Sequence, residues 1–180
     1  MFSLLLIMLG CQSSDTPVLS LSEVNAQAHT VTLTQPIHWC TTPDIIICEN
    51  QIAIDQMQAD TAFRLIGHNN PRIVKMQCDN ECAATIGAIT IGKPLCFLEH
   101  NKDGNSLGMA VATPQPDNPK CIQYSRIELW RWNLRVITHE AGHSLGYKHT
   151  DTKGHLMNPN YSNGGWNLDG ISQHLETYPL

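Results

Sequence analysis

Two histidines four residues apart, a glutamate between them and a third histidine six residues further on constrain this chain more than any other stretch. The run is His139-Glu140-Ala141-Gly142-His143-Ser144-Leu145-Gly146-Tyr147-Lys148-His149. On an α-helix, at about 100° per residue, His139 and His143 lie about 40° apart and one turn from each other, so both rings reach one ion. Leu134, Ile137, Ala141 and Leu145 form a stripe about 160° away from that face. The helix therefore has one side to bury and one to offer ligands. Gly146 supplies a permissive backbone where the helix must stop, after which the chain turns and brings His149 to the same ion. Three imidazoles and an open position are the donor set of a catalytic zinc site. Glu140, beside the metal, is suited to take a proton from water whose pKa the ion has lowered toward about 7, and to return it to a leaving amine. The competing reading is an exposed helix with solvated histidines. Chance makes the full spacing with a frequency on the order of one in ten thousand or less, which disfavours it.

The chain has 180 residues, of which 42% are hydrophobic and 15% charged, with a formal charge of −5. That length and composition suit one folded domain with a single core. The acidic balance offers no basic field for nucleic acid, which excludes that class of partner. The one long apolar run, Phe2 to Gly10, is too short for a membrane-spanning helix and reads as a targeting segment. Leu9-Gly10-Cys11 resembles the lipobox of bacterial lipoproteins, in which the Cys is lipidated. Met8 stands where Leu is usual and no basic residue precedes the run, so a plain signal peptide fits the same residues. The expected organisation is a signal segment over 1–11, a flexible tether over 12–29 and a catalytic domain over 30–180. The expected protein is exported, either anchored to a bacterial membrane through Cys11 or secreted.

Cysteine parity bears on the compartment. The chain has seven Cys. If Cys11 carries lipid, Cys40, Cys48, Cys78, Cys82, Cys96 and Cys121 remain, enough for three disulfides in an oxidising environment. Sequence leaves about fifteen pairings open. Short loops favour Cys40–Cys48 and Cys78–Cys82, which leaves Cys96–Cys121.

Periodicity gives the expected elements. Val31-Thr-Leu-Thr34 alternates as a strand, and His38-Trp39 reads as a second strand segment. Ile54, Met57, Thr61 and Leu65 make a helical stripe within 51–66, ended by Gly67-His-Asn-Asn-Pro71. Residues 72–76, 84–91, 107–113 and 121–129 read as strands. The second long helix covers 133–148, with Asn133 as its N-cap. A Gly- and Asn-rich loop over 150–167 precedes a short helix over 168–178. This order indicates an α/β (α+β) layer with one sheet and two long helices.

The eleven-residue run followed by Leu156-Met157-Asn158-Pro159-Asn160-Tyr161 resembles the metzincin signature, and the eight-residue step from His149 to Met157 resembles the matrixins, the matrix metalloproteinase group. The resemblance is strong over 133–161 and loose over 30–132. It implies a metzincin-like catalytic domain: one twisted mixed sheet with an antiparallel edge strand, two long helices and a short C-terminal helix. It implies a zinc endopeptidase acting on extended protein or peptide substrates, with His139, His143 and His149 as ligands and Glu140 as general base and acid. Met157 would underlie the zinc site, and Pro159, Tyr161 and Arg135 would line the S1′ pocket. Arg135 would make that pocket shallow or acid-accepting. Gly108 to Pro114 looks like the edge strand that pairs with substrate backbone, with Met109, Ala110 and Val111 at its centre.

Departures from the family are also legible. No cysteine-switch segment fits between Cys11 and Val31, and the His-x-Asp spacing of a second, structural zinc is absent. His68 and His100 read as surface residues, and Asp103-Gly104 as a turn rather than a calcium site. One catalytic zinc and a monomer are therefore expected. Two other classes remain open: a binding module of this fold without turnover, which intact Glu140 disfavours, and a gluzincin with Glu176 as third ligand, whose setting near the chain end is poor.

Overall fold

The computed structural model describes residues 37–68, 70–79, 82, 84–101 and 104–171, with the side chain of His100 left out. The lipobox-like Cys11, the tether, the Val31–Thr34 strand, Asp103 and residues 172–178 of the expected last helix lie outside the described residues.

Five strands form one mixed sheet: β1 Asp44–Cys48, β2 Ile73–Met76, β3 Ala88–Gly92, β4 Gly108–Pro114 and β5 Ile122–Leu129. Their spatial order is β2-β1-β3-β5-β4. The first four in that order are parallel, and β4 runs antiparallel to β5 at the edge. Among the described residues two α-helices accompany it, α1 Gln56–Leu65 and α2 Leu134–Ser144. They pack on each other, and α2 also lies against β4 and β5. The fold is thus the expected mixed α/β layer with an antiparallel edge. Among the described residues no helix is long and apolar enough to cross a membrane.

The sequence reading assigns no strand to β1, although it is central. Asp44-Ile-Ile-Ile-Cys48 neither alternates nor follows a helical period. A parallel strand covered on both faces is apolar at successive positions, so period carries no signal there. His38 forms only an isolated bridge with Cys121 instead of a strand.

Helix α1 begins later than expected. Asp55 is its N-cap, accepting from Gln58 N at 2.7 Å, while the Gln58 side chain accepts from Asp55 N. This capping box fixes the start. The expected stripe is also rotated. Met57 is 74% exposed and Leu65 38%, whereas Ala59, Ala62 and Phe63 face the core. Small alanines let the helix come close, and Phe63 fills the space that remains. His68, expected at the surface, is only 1% exposed and packs edge-on to Phe63 with centroids 6.1 Å apart.

Three disulfides form, with pairings that differ from all those expected: Cys40–Cys121, Cys48–Cys78 and Cys82–Cys96. Strand β1 explains the first error, because about 3.3 Å of rise per residue carries Cys48 away from Cys40. Cys48 instead ends beside Met76 in the β1/β2 register, and Cys78 lies two residues beyond. Cys121 immediately precedes β5 and pairs with the His38 segment, while the Cys96 backbone binds Glu128 near the far end of that strand. Cys96 and Cys121 therefore lie roughly 20 Å apart along β5.

Glu128 anchors the segment after β3. Its buried carboxylate accepts from the backbone N–H groups of Leu95, Cys96 and Phe97 at 2.9–3.2 Å. Arg126, also buried, donates to it at 2.7 Å. A buried pair completed by further hydrogen bonds avoids an uncompensated charge.

Candidate metal centre

Asn133 caps α2 by accepting from Val136 N at 3.0 Å, as expected from its type and place. The helix ends earlier than the expected Lys148. Gly146 takes φ of 99°, its N–H reaches His143 O at 2.9 Å, and Tyr147 N reaches Gly142 O at 3.1 Å. This is the paired closure that a left-handed glycine permits. It bends the chain off the helix toward His149. The indole N–H of Trp39 donates to Ser144 O at 2.9 Å and satisfies another terminal carbonyl.

The bend brings three rings together. The Nε2 atoms of His139, His143 and His149 lie 2.9–3.1 Å from one another. The N–H on Nδ1 of His139 donates to Leu156 O at 2.6 Å, and that of His143 donates to Tyr147 O at 2.8 Å. A carbonyl only accepts, so in both rings the proton sits on Nδ1 and Nε2 keeps its lone pair. Burial holds the imidazoles neutral. It lowers His139 from 6.5 to about 3, with His143 adding to the effect, and lowers His143 to about 4. Burial, reinforced by the other two rings, lowers His149 to about 2.

Converging lone pairs repel unless a cation lies between them. Two nitrogen ligands of a tetrahedral zinc, each about 2.0–2.1 Å away, stand roughly 3.3 Å apart. The observed spacings are close to that figure, and the neutral rings need not lose a proton to bind. The donor set fits one zinc ion. The other cluster of metal-type donors among the described residues is His38, Cys40 and Cys121, whose two sulfurs are joined as a disulfide.

Glu140 is 1% exposed, and neither carboxylate oxygen has a hydrogen-bond partner. Burial raises its pKa well above the ordinary carboxylate value. The β4 backbone passes beside it: a Cβ added to Gly108 would lie 2.8 Å from Glu140 Oε1. Met109, Ala110 and Val111 follow on the same edge strand, in register with Glu128, Ile127 and Arg126 of β5.

Met157 is fully buried beneath α2. A Cβ on Gly142 would come within 2.5 Å of its sulfur, so only glycine admits Met157 to this position. The Met157 carbonyl accepts from Thr150 N at 3.0 Å, one residue after His149. With Leu156 O on His139, one turn fixes the surroundings of two of the clustered rings. Pro159 and Tyr161 are partly buried on the next loop. Arg135 projects onto that loop: its guanidinium lies 3.7 Å from the Tyr161 ring centroid and donates to the carbonyls of Gly164 and Tyr161. Asn133 Nδ2 donates to the Tyr161 hydroxyl at 2.7 Å.

Three contributors escape the sequence reading. Trp39 gives no local signal, since its partner lies 105 residues away. His155 is buried, accepts from Met157 N at 3.0 Å and donates to Asp169 O at 2.9 Å. It sits in a polar loop where no spacing singles it out. Gly142 had a usable signal, because a glycine inside a helix costs about 1 kcal/mol relative to alanine and calls for a packing reason.

A search of curated proteins finds no match to this chain. Residues 98–170 do match the family model of the matrixins, a stretch that contains β4, β5, α2, all three clustered imidazoles and the Met157 turn. Over residues 98–170 the chain is similar to the matrixins, a family of metallopeptidases.

Proposed function

We propose that the protein is a zinc endopeptidase that cleaves extended peptide segments, with His139, His143 and His149 as the metal ligands and Glu140 as the proton carrier. The observation that carries this reading is the meeting of three neutral imidazoles at their Nε2 atoms beside a buried, unpartnered carboxylate. Zinc, when bound there, supplies a Lewis acid that acidifies water and stabilises a developing oxyanion.

The chain's own groups do the rest. Substrate adds to the open edge of β4 along Met109, Ala110 and Val111 as a further strand, which fixes its register through backbone hydrogen bonds. That edge passes Glu140, as the contact at Gly108 shows. Glu140 takes a proton from the attacking water and delivers it to the amine nitrogen as the peptide bond breaks. A carboxylate with a raised pKa suits this two-way transfer near neutral pH. Pro159, Tyr161 and Arg135 wall the S1′ pocket, and the Arg135 side chain, drawn over Tyr161, makes it shallow.

The test is cleavage of a quenched peptide library by wild type and Glu140→Gln, each with and without chelator. We expect wild-type turnover to vanish in chelator and return with zinc, and the Gln variant to bind zinc yet lose at least about a thousandfold in kcat. Turnover surviving in the Gln variant, or a wild type that binds peptide without cutting it, would overturn the reading; the second outcome would indicate a binding module.

A further inference from the structure

His155 is fully buried in the polar loop after His149, and both of its ring nitrogens are occupied. Nδ1 accepts from Met157 N at 3.0 Å, and the N–H on Nε2 donates to Asp169 O at 2.9 Å. Its proton therefore sits on Nε2, the opposite tautomer to His139 and His143. An imidazole bonded in this way is no ligand. It braces one stretch of backbone against another.

The two bonds have different roles. The one from Met157 N runs from residue i+2 back to residue i. Asparagine side chains close the same turn elsewhere in this loop: Asn158 Oδ1 accepts from Asn160 N at 2.9 Å, and Asn167 Oδ1 from Asp169 N at 2.8 Å. At 155 the longer imidazole closes the turn and also reaches Asp169. That far anchor belongs to a held segment, since Ile171 O accepts from the Tyr147 hydroxyl at 3.2 Å. Inside the His155–Met157 turn lies Leu156, whose carbonyl accepts from Nδ1 of His139 at 2.6 Å. His143 takes its direction from Tyr147 O, outside that turn. The geometry thus connects His155 to His139 and bypasses His143.

We propose that His155 is a positioning residue: by closing the turn around Leu156 it holds the carbonyl that orients the His139 ring toward the shared centre. Its effect on zinc affinity rests on the reading of that centre given above, whereas its effect on the ring does not. A carbonyl that orients a ligand imidazole acts on affinity through the direction of the lone pair. A turn that drifts releases the His139 ring while the His143 ring stays fixed.

The test follows the Nδ1–H protons of His139 and His143 by nuclear magnetic resonance in the full metal-free chain, labelled with nitrogen-15 in histidine, and measures zinc affinity separately by chelator competition. Both protons should be protected from exchange in wild type. His155→Leu should lose protection at His139 and keep it at His143, and should bind zinc about tenfold or more weakly, within the range for outer partners of a ligand. His155→Asn restores the bond from Met157 N alone, and should keep the His139 signal and stay within about threefold of wild type in affinity. His155→Gln, long enough to reach Asp169 but unable to close the short turn, should behave like the Leu variant, and it replaces that variant should His155→Leu fail to fold. An unchanged His139 signal in both the Leu and Gln variants would overturn the proposal. So would loss of both ring signals together, or an Asn variant no better than Gln, because His155 then acts only on general stability. A wild type that binds no zinc would overturn the zinc reading instead, and the ring signals of the metal-free chain would still decide this proposal.

Discussion

Glu140 combines two demands that pull in opposite directions. Its carboxylate is buried without a partner, which costs stability in the metal-free chain, and in the proposed reaction that same isolation keeps it ready to move a proton. Glu140→Gln should therefore raise the stability of the metal-free protein at neutral pH by about 1–2 kcal/mol, read as an increased midpoint in urea. An unchanged or lower midpoint would mean that the carboxylate has a compensating partner. Arg135 offers a test of specificity. With its guanidinium on Tyr161 and two loop carbonyls, Arg135→Leu should deepen the proposed S1′ pocket and shift P1′ preference from small to long apolar residues. An unchanged library profile would remove Arg135 from the pocket wall. The convergence of His139 and His143 was legible because a helix converts spacing into direction, so a four-residue step is already a statement about space. His155 and Trp39 were not, because loop conformation and a contact across the whole domain leave no trace in local spacing.

At the scale of elements, Glu128 ties β5 to the segment that leads toward β4. Glu128→Ala removes the acceptor of three backbone N–H groups and leaves Arg126 buried without its carboxylate. Stability should fall by about 3–5 kcal/mol in denaturant melts, the range for breaking one side of a buried pair. A loss under about 1 kcal/mol would show that water or another group replaces it. The elements also mark where sequence patterns gave out. Strands β4 and β5 and helix α2 could be read because turn residues, alternation or a cap bound them. Strand β1 could not, since a buried parallel strand has no polar face to set a period. The disulfides follow from the same strand: a short loop alone would favour Cys40–Cys48, and β1 carries Cys48 away from Cys40 to Cys78. In α1 the exposed Met57 and Leu65 imitate a core stripe, and the true core face is built of two alanines and Phe63, which fall outside that stripe.

For the whole molecule, the buried imidazoles set the response to acid. His68, His139, His143, His149 and His155 all have pKa values lowered chiefly by burial, below an ordinary 6.5. The unfolded chain therefore takes up protons before the folded one does. The stability they contribute is complete above about pH 6.5 and is lost as pH falls toward the folded values. Glu140 acts in the opposite direction, since a raised carboxylate pKa costs stability as pH rises past 4.5. Five groups outweigh one, so the metal-free chain should melt at a lower temperature at pH 5 than at pH 7. In Glu140→Gln, which lacks the opposing group, the gap should widen. A flat profile would show that the rings are not buried in solution.

The bond from Trp39 to Ser144 has a consequence for autonomy. The stretch that resembles the matrixins begins at Leu98, yet the helix holding two of its histidines is finished by an indole from far upstream. Strands β1, β2 and β3 also precede that stretch. A fragment cut at residue 98 would keep every letter of the signature while losing the partner of its terminal carbonyl and more than half of its sheet. The recognisable motif and the smallest unit able to fold are therefore different lengths of chain.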